Sequence, residues 1–255
     1  MTPIYFLDGL GSNRHYVTRL EEALIEQGFE LIYLALPGHP NNFNCPTETL
    51  EDLTAWFDKQ TPKTPFILMG FSLGADFAAY LAKQSSHVSH LILLDGGFMD
   101  FDVFGYSLEQ ELADTKIYFA SETFADLGEK LREEEKSTDY WGEDLEKAVR
   151  YAYVKKENQY QLNLNSEIIL NLLKIRRDCQ FVISKPYFSV PTLMILSDSP
   201  AEFLDFKQTQ LSKIANNHIT SKILSNTTHQ LYLEKPNQIA VTIKDVVSNN
   251  FSKTL

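Results

Sequence analysis

Between the apolar run Phe66-Ile67-Leu68-Met69 and the alanine-rich stretch Leu73 to Lys83 lies Gly70-Phe71-Ser72-Leu73-Gly74. A serine in a G-x-S-x-G setting is suited to nucleophilic attack on a carbonyl carbon. Set on a sharp strand-to-helix turn, its hydroxyl stands clear of the sheet. Glycines two residues to either side leave room for strand and helix to approach each other. The next amide, that of Leu73, opens the helix, where it has no intrahelical acceptor and can hold a developing oxyanion. Such a pentapeptide also arises by chance as a tight turn. The apolar run before it and the helical pattern after it favour the catalytic reading.

A serine hydroxyl needs a base. Of the histidines His15, His39, His87, His90, His218 and His229, the last is best placed. It lies in Ser225-Asn226-Thr227-Thr228-His229-Gln230, a polar segment after the last strand pattern and before the last helix pattern. Such a loop opens at the carboxyl edge of a parallel sheet, where Ser72 also emerges. The base in turn needs an acid that holds its tautomer. Asp198 follows the strand pattern Leu193 to Leu196, and the order Ser72, Asp198, His229 is serine, acid, histidine. Asp95, which ends the preceding strand pattern, is the alternative acid; its other reading is a cap of the Gly96-Gly97 turn. Glu202 is a third option. Strand order favours Asp198.

The elements that must position these residues follow from periodicity. Ile4 to Leu7, Leu31 to Leu36, Phe66 to Met69, Leu91 to Leu94, Leu193 to Leu196 and Ile219 to Leu224 read as strands. Helical spacing joins Val17, Leu20 and Leu24; Leu50, Leu53, Trp56 and Phe57, capped by Thr47 or Thr49; Leu204, Leu211 and Ile214; and Ile239, Ile243, Val246 and Val247. Strands alternating with helices imply right-handed crossovers and a mostly parallel sheet with helices on both faces, an α/β fold. The rhythm breaks after Asp95. Residues 98–188 are read as a mostly helical insertion, with residues 1–97 and 189–255 forming the core domain. The aromatics Phe98, Phe101, Phe104, Tyr106 and Trp141 belong either to an apolar pocket over Ser72 or, as is the default for aromatics, to the insertion's own small core or its packing onto the sheet.

Composition excludes several function classes. The chain has 255 residues, with 23 Lys and Arg against 34 Asp and Glu, a formal charge of −11. Clustered cations for phosphate neutralisation are lacking, so nucleic acid is not an expected partner. Cys45 and Cys179 are too few for a disulfide framework or a Cys-rich metal site. No signal peptide or membrane span is read, and a cytoplasmic location is the default. Gly9-Leu10-Gly11 meets Arg14 where a dinucleotide loop needs its third glycine. No phosphate-binding loop or metal-ligand spacing is found either, so no cofactor and no metal are expected. The acidic run Glu133-Glu134-Glu135 reads first as a solvated face.

With Ser72 and His229 in place, three further landmarks fall in order. These are Leu7-Asp8-Gly9-Leu10-Gly11-Ser12, Leu36-Pro37-Gly38-His39 and Pro191-Thr192-Leu193. Together the five resemble the α/β-hydrolase fold superfamily, serine hydrolases with a helical cap insertion, over nearly the whole chain. The resemblance implies an oxyanion hole made by the backbone amides of Leu10 and Leu73. It also implies a cap formed by the insertion. Two features depart from the pattern. Asp8 stands where the loop usually carries histidine, and Ser197-Asp198-Ser199-Pro200 is about a residue shorter than the usual acid loop. The implied activity is hydrolysis of a small to medium carboxylic ester or thioester, a small-molecule acyl substrate, through an acyl-enzyme. An aminopeptidase or amidase of the same fold and a non-catalytic ligand-binding relative are the alternatives.

Overall fold

The computed structural model describes residues 1–100, 102–103, 105–183, 190–214 and 218–251. In chain order the elements are β1 (Thr2–Leu7), α1 (Thr18–Glu26), β2 (Phe29–Leu34), α2 (Leu50–Gln60), β3 (Phe66–Phe71), α3 (Leu73–Gln84) and β4 (Val88–Leu94). Then come α4 (Leu108–Ser121), β5 (Thr123–Phe124), α5 (Leu127–Ser137), α6 (Glu143–Ala152), β6 (Tyr153–Lys156), β7 (Gln159–Leu162) and α7 (Ser166–Ile183). The chain closes with β8 (Thr192–Ser197), α8 (Ala201–Ile214), β9 (Ile219–Leu224), α9 (Leu231–Glu234) and α10 (Pro236–Phe251).

Six strands form one sheet in the order β2-β1-β3-β4-β8-β9, and every pairing in it is parallel. The central strands are apolar at nearly every position because both faces are covered. Ile67 and Met69, Ile92 and Leu94, and Leu193 and Ile195 point to the face packed by α1 and α10. Phe66 and Leu68, Leu91 and Leu93, and Met194 and Leu196 point to the other, packed by α2, α3 and α7. Helix α2 starts at Thr49 rather than Thr47: Thr49 and Asp52 form a reciprocal capping box. Among the described residues no helix is long and apolar enough to cross a membrane.

Between β4 and β8 the expected helices are present, but so is a three-stranded antiparallel sheet, β5-β7-β6. Its strands run two to four residues, too short for a period of two to register in sequence. Helix α7 sits within the insertion in sequence yet packs in the main core, where Ile169, Leu172 and Ile175 join Phe77 of α3. Leu127, Leu131 and Val149 make a separate small core for α5 and α6.

Candidate active site

The chain must turn sharply to pass from β3 into α3, and Ser72 makes the turn at φ 52° and ψ −121°. That region is strained for a residue with a Cβ and persists only where the surroundings hold it. The holding contacts are close. The Ser72 amide donates to the Leu94 carbonyl at 3.1 Å, and the Ser72 carbonyl accepts from Ala75 and Asp76. A Cβ on Gly70 would lie 2.4 Å from the Gly74 carbonyl oxygen, and one on Gly74 only 2.2 Å from that of Leu7. Both obstacles are backbone. Gly74→Ala is therefore expected to cost about 3 kcal/mol of stability, measurable by urea unfolding, because neither neighbour can rotate away.

His229 lies in the loop between β9 and α9 and reaches both Ser72 and Asp95. Its Nε2 is 2.9 Å from Ser72 Oγ. Its Nδ1 is 2.7 Å from an oxygen of Asp95, not of Asp198. The preference for Asp198 is thus corrected. Asp198 turns its carboxylate onto the amides of Asn226 and Thr227, at 2.9 and 3.0 Å, and so ties down the loop that carries His229. Those two N–H bonds hold its carboxyl below the ordinary carboxylate range. Glu202 is exposed in the first turn of α8. Strands β4 and β8 are neighbours, so both acids emerge at the same edge. The closer reach belongs to Asp95, which leaves its strand at φ 49°.

The Asp95 carboxylate is also held by Ser197, through its amide (3.0 Å) and hydroxyl (2.9 Å), and by Lys207 Nζ (2.6 Å). Neither residue was anticipated from sequence. A signal existed: Phe203, Lys207, Gln210 and Ile214 share one face of α8, and a lysine on an inward face needs a partner.

The loop after β1 lies against the serine. A Cβ on Gly9 would come within 3.0 Å of the Phe71 ring and 3.4 Å of Ser72 Cβ, so Leu10 follows directly beside Ser72. His39 fixes this loop. Its Nε2 accepts the Gly11 amide at 3.0 Å while Nδ1 donates to the Pro37 carbonyl. Burial pushes His39 down to about 4, which keeps it neutral in that role.

Asp8 is buried behind the same loop. It accepts from the Gly9 amide (2.8 Å), Ser12 Oγ (2.5 Å) and Tyr232 (3.1 Å). Burial pushes its carboxyl up to about 7 against those bonds, so at neutral pH it places less than a full charge near the serine. In the unfolded chain it ionises near 3.8. The folded state keeps a proton that the unfolded state has lost, so this group makes stability fall as pH rises from about 4 to about 7. Asp8→Asn removes that slope. Its urea midpoint is expected to change less between about pH 5 and about pH 8 than that of the unaltered chain.

A cleft of about 1480 Å³ opens over Gly9, Leu10, Phe71, Thr228 and Gln230. Its far wall comes from α4, α5 and the turn after α5. The aromatic lining is Tyr16, Phe71, Tyr118, Phe119, Tyr140, Tyr153 and Tyr232. Of the aromatics in or near the insertion, Phe98 and Trp141 follow the packing reading rather than the pocket reading. Phe98 is buried in the main core and Trp141 packs on the small core of α5 and α6. Tyr106 donates to Asp114, and Phe101 and Phe104 lie outside the described residues. Five carboxylates, Asp114, Glu134, Asp139, Asp198 and Glu234, face the cleft with two lysines, Lys130 and Lys235. Lys130 is itself paired with Glu122 and Glu134.

A family model described as the alpha/beta hydrolase fold matches residues 2–236. Among solved structures, the chain is similar to E-2-(acetamidomethylene)succinate hydrolase at 13% identity and a TM-score of 0.72, with 97% of this chain and 91% of that one covered. It is similar to an esterase from Exiguobacterium antarcticum at 17% identity and a TM-score of 0.69, covering 97% and 92%. It is also similar to the thioesterase domain from the curacin biosynthetic pathway at 16% identity and a TM-score of 0.66, covering 95% and 90%. At such identities the likeness is one of fold. A search of curated protein sequences finds no significant match.

Proposed function

Because the chain belongs to the α/β-hydrolase fold family, we propose that it is a serine hydrolase cleaving a small to medium carboxylic ester or thioester through an acyl-enzyme. The observation that carries this reading is His229 bridging Ser72 and Asp95 through its two ring nitrogens at 2.9 and 2.7 Å. Ser72 Oγ attacks the acyl carbon and passes its proton to His229 Nε2. Asp95 accepts from Nδ1–H and stabilises the imidazolium. The tetrahedral oxyanion rests on the amides of Leu10 and Leu73. His229 then protonates the leaving alcohol or thiol, and water activated by the same imidazole clears the acyl group. The part of the insertion that walls the cleft, from α4 to β7, serves as the cap that shapes the pocket, and no cofactor takes part.

The carboxylate-rich lining favours a second reading, an aminopeptidase or amidase whose substrate carries an amine. Both readings are separated by one experiment. The protein is treated with a fluorophosphonate, read by intact mass and peptide mapping, and then assayed on acyl esters, acyl thioesters and amino-acid arylamides. A single adduct on the Ser72 peptide with faster turnover of the esters or thioesters is expected. Faster arylamide cleavage favours the second reading. A folded protein that takes no adduct and turns over none of these is a binding relative, and the proposal is wrong.

A further inference from the structure

Asp95 is bound more heavily than orienting an imidazole requires. One oxygen, Oδ2, faces His229 Nδ1 and takes the Ser197 hydroxyl; the other, Oδ1, takes the Ser197 amide and Lys207 Nζ. Lys207 is 1% exposed. Its ammonium also donates to Ser197 Oγ at 2.7 Å and lies 4.8 Å from the centre of the Phe203 ring. Lysine, serine and carboxylate thus close a ring of hydrogen bonds in the core. A lysine this buried sits there only with a counter-charge, and its counter-charge is the acid that faces the histidine.

Resting on the reading of Ser72, His229 and Asp95 as the catalytic unit, we infer that Lys207 is a positioning residue for that unit: it turns Oδ2 of Asp95 toward the imidazole and keeps the buried carboxylate charged. Burial alone would push the Asp95 carboxyl up. The His229 bond, the Lys207 charge and bond, and the Ser197 amide outweigh it and hold the group below its ordinary range. Without the ammonium, burial would be opposed by less, and the carboxyl would take up a proton at higher pH. A protonated Asp95 no longer holds the productive imidazole tautomer, so reactivity of Ser72 would be lost from the acid side.

The other ionisable groups around this pair have partners of their own. Asp76 of α3, which lies within electrostatic reach of His229, accepts the Gly97 amide and faces Arg176 of α7, with Glu111 of α4 nearby. Glu234 of α9 holds Thr228, and Asp198 holds the amides of Asn226 and Thr227. Asp8 is bonded to Tyr232, whose ring packs on Phe71 beside His229. Among the described residues none of these carboxylates is hydrogen-bonded to Asp95, and the ammonium in contact with it is that of Lys207.

The test is the rate of fluorophosphonate labelling at Ser72 from about pH 4.5 to about pH 9, for the unaltered protein, K207M and K207R. In K207M the midpoint of the acid limb is expected to move up by about 1 to 2 pH units. K207R, which restores the charge, is expected to return it toward the original position. A merely structural lysine would lower thermal stability or the alkaline plateau without moving the midpoint. A folded K207M with an unmoved midpoint overturns the inference while leaving the hydrolase reading intact. Should K207M not fold, K207Q is read in the same way: a raised midpoint is expected, and an unmoved one in a folded K207Q overturns the inference. No labelling of the unaltered protein at any pH overturns the hydrolase reading itself, and the role of Lys207 with it.

Discussion

His229→Ala is expected to lower kcat on a cleaved ester by about 10⁵- to 10⁶-fold, because in the proposed mechanism it removes the group that takes the Ser72 proton and returns it to the leaving group. The fold should survive. The imidazole is 45% exposed, and its ring contact is with Phe71. The Asp95 carboxylate it leaves behind is still bonded to Ser197 and Lys207, so no buried charge is stranded. Thermal unfolding followed by circular dichroism should therefore shift by only a few degrees. Residues acting as one unit do not add, so Ser72→Ala combined with His229→Ala should be no slower than either alone. A variant within tenfold of the original kcat would mean that another group serves as the base.

The second expected result separates the two acids. Asp95→Asn should lower kcat about 10⁴-fold, since the amide cannot stabilise the imidazolium and favours the wrong tautomer. Asp198→Asn should change kcat by less than about threefold, because its carboxylate contacts two loop amides and not the imidazole. Asp95→Asn also leaves the Lys207 ammonium facing a neutral group. Its unfolding temperature should fall as well, and rates must be compared per folded molecule. Equal losses in the two variants would show that the carbonyl chemistry depends on the loop geometry around His229 rather than on the contact with Asp95.

The sheet was legible because its central strands are apolar on both faces and its helices carry clear stripes. The six core strands match their expected positions to within about three residues, the boundary error that periodicity allows. Ser72 was legible for a different reason: Gly70 and Gly74 are demanded by backbone atoms 2.2 to 2.4 Å away, and such a demand leaves a mark in sequence. The acid was not legible in the same way. Asp95 and Asp198 end adjacent strands at one edge, and which of them reaches the imidazole depends on the path of residues 225–230. That path is set by contacts between residues distant in sequence, including the bonds that Asp198 makes to the loop. Lys207 was hidden by the same limit, since its partner lies 112 positions away. The strands β5, β6 and β7 escaped because each is only a few residues long.

The wall of the cleft contributed by α5 has a consequence for how such a protein can change over generations. Leu127 and Leu131 rest on Val149 of α6 in a core of their own, apart from the two cores that hold the parallel sheet. Lys130, Glu134 and Ser137 of the same helix face the cleft. Substitutions there alter what a molecule in the cleft meets without unpacking the scaffold that strains Ser72. Selectivity and foldability are thereby drawn from separate stocks of residues. A library confined to α5 is the place to begin changing what the cleft of this protein accepts.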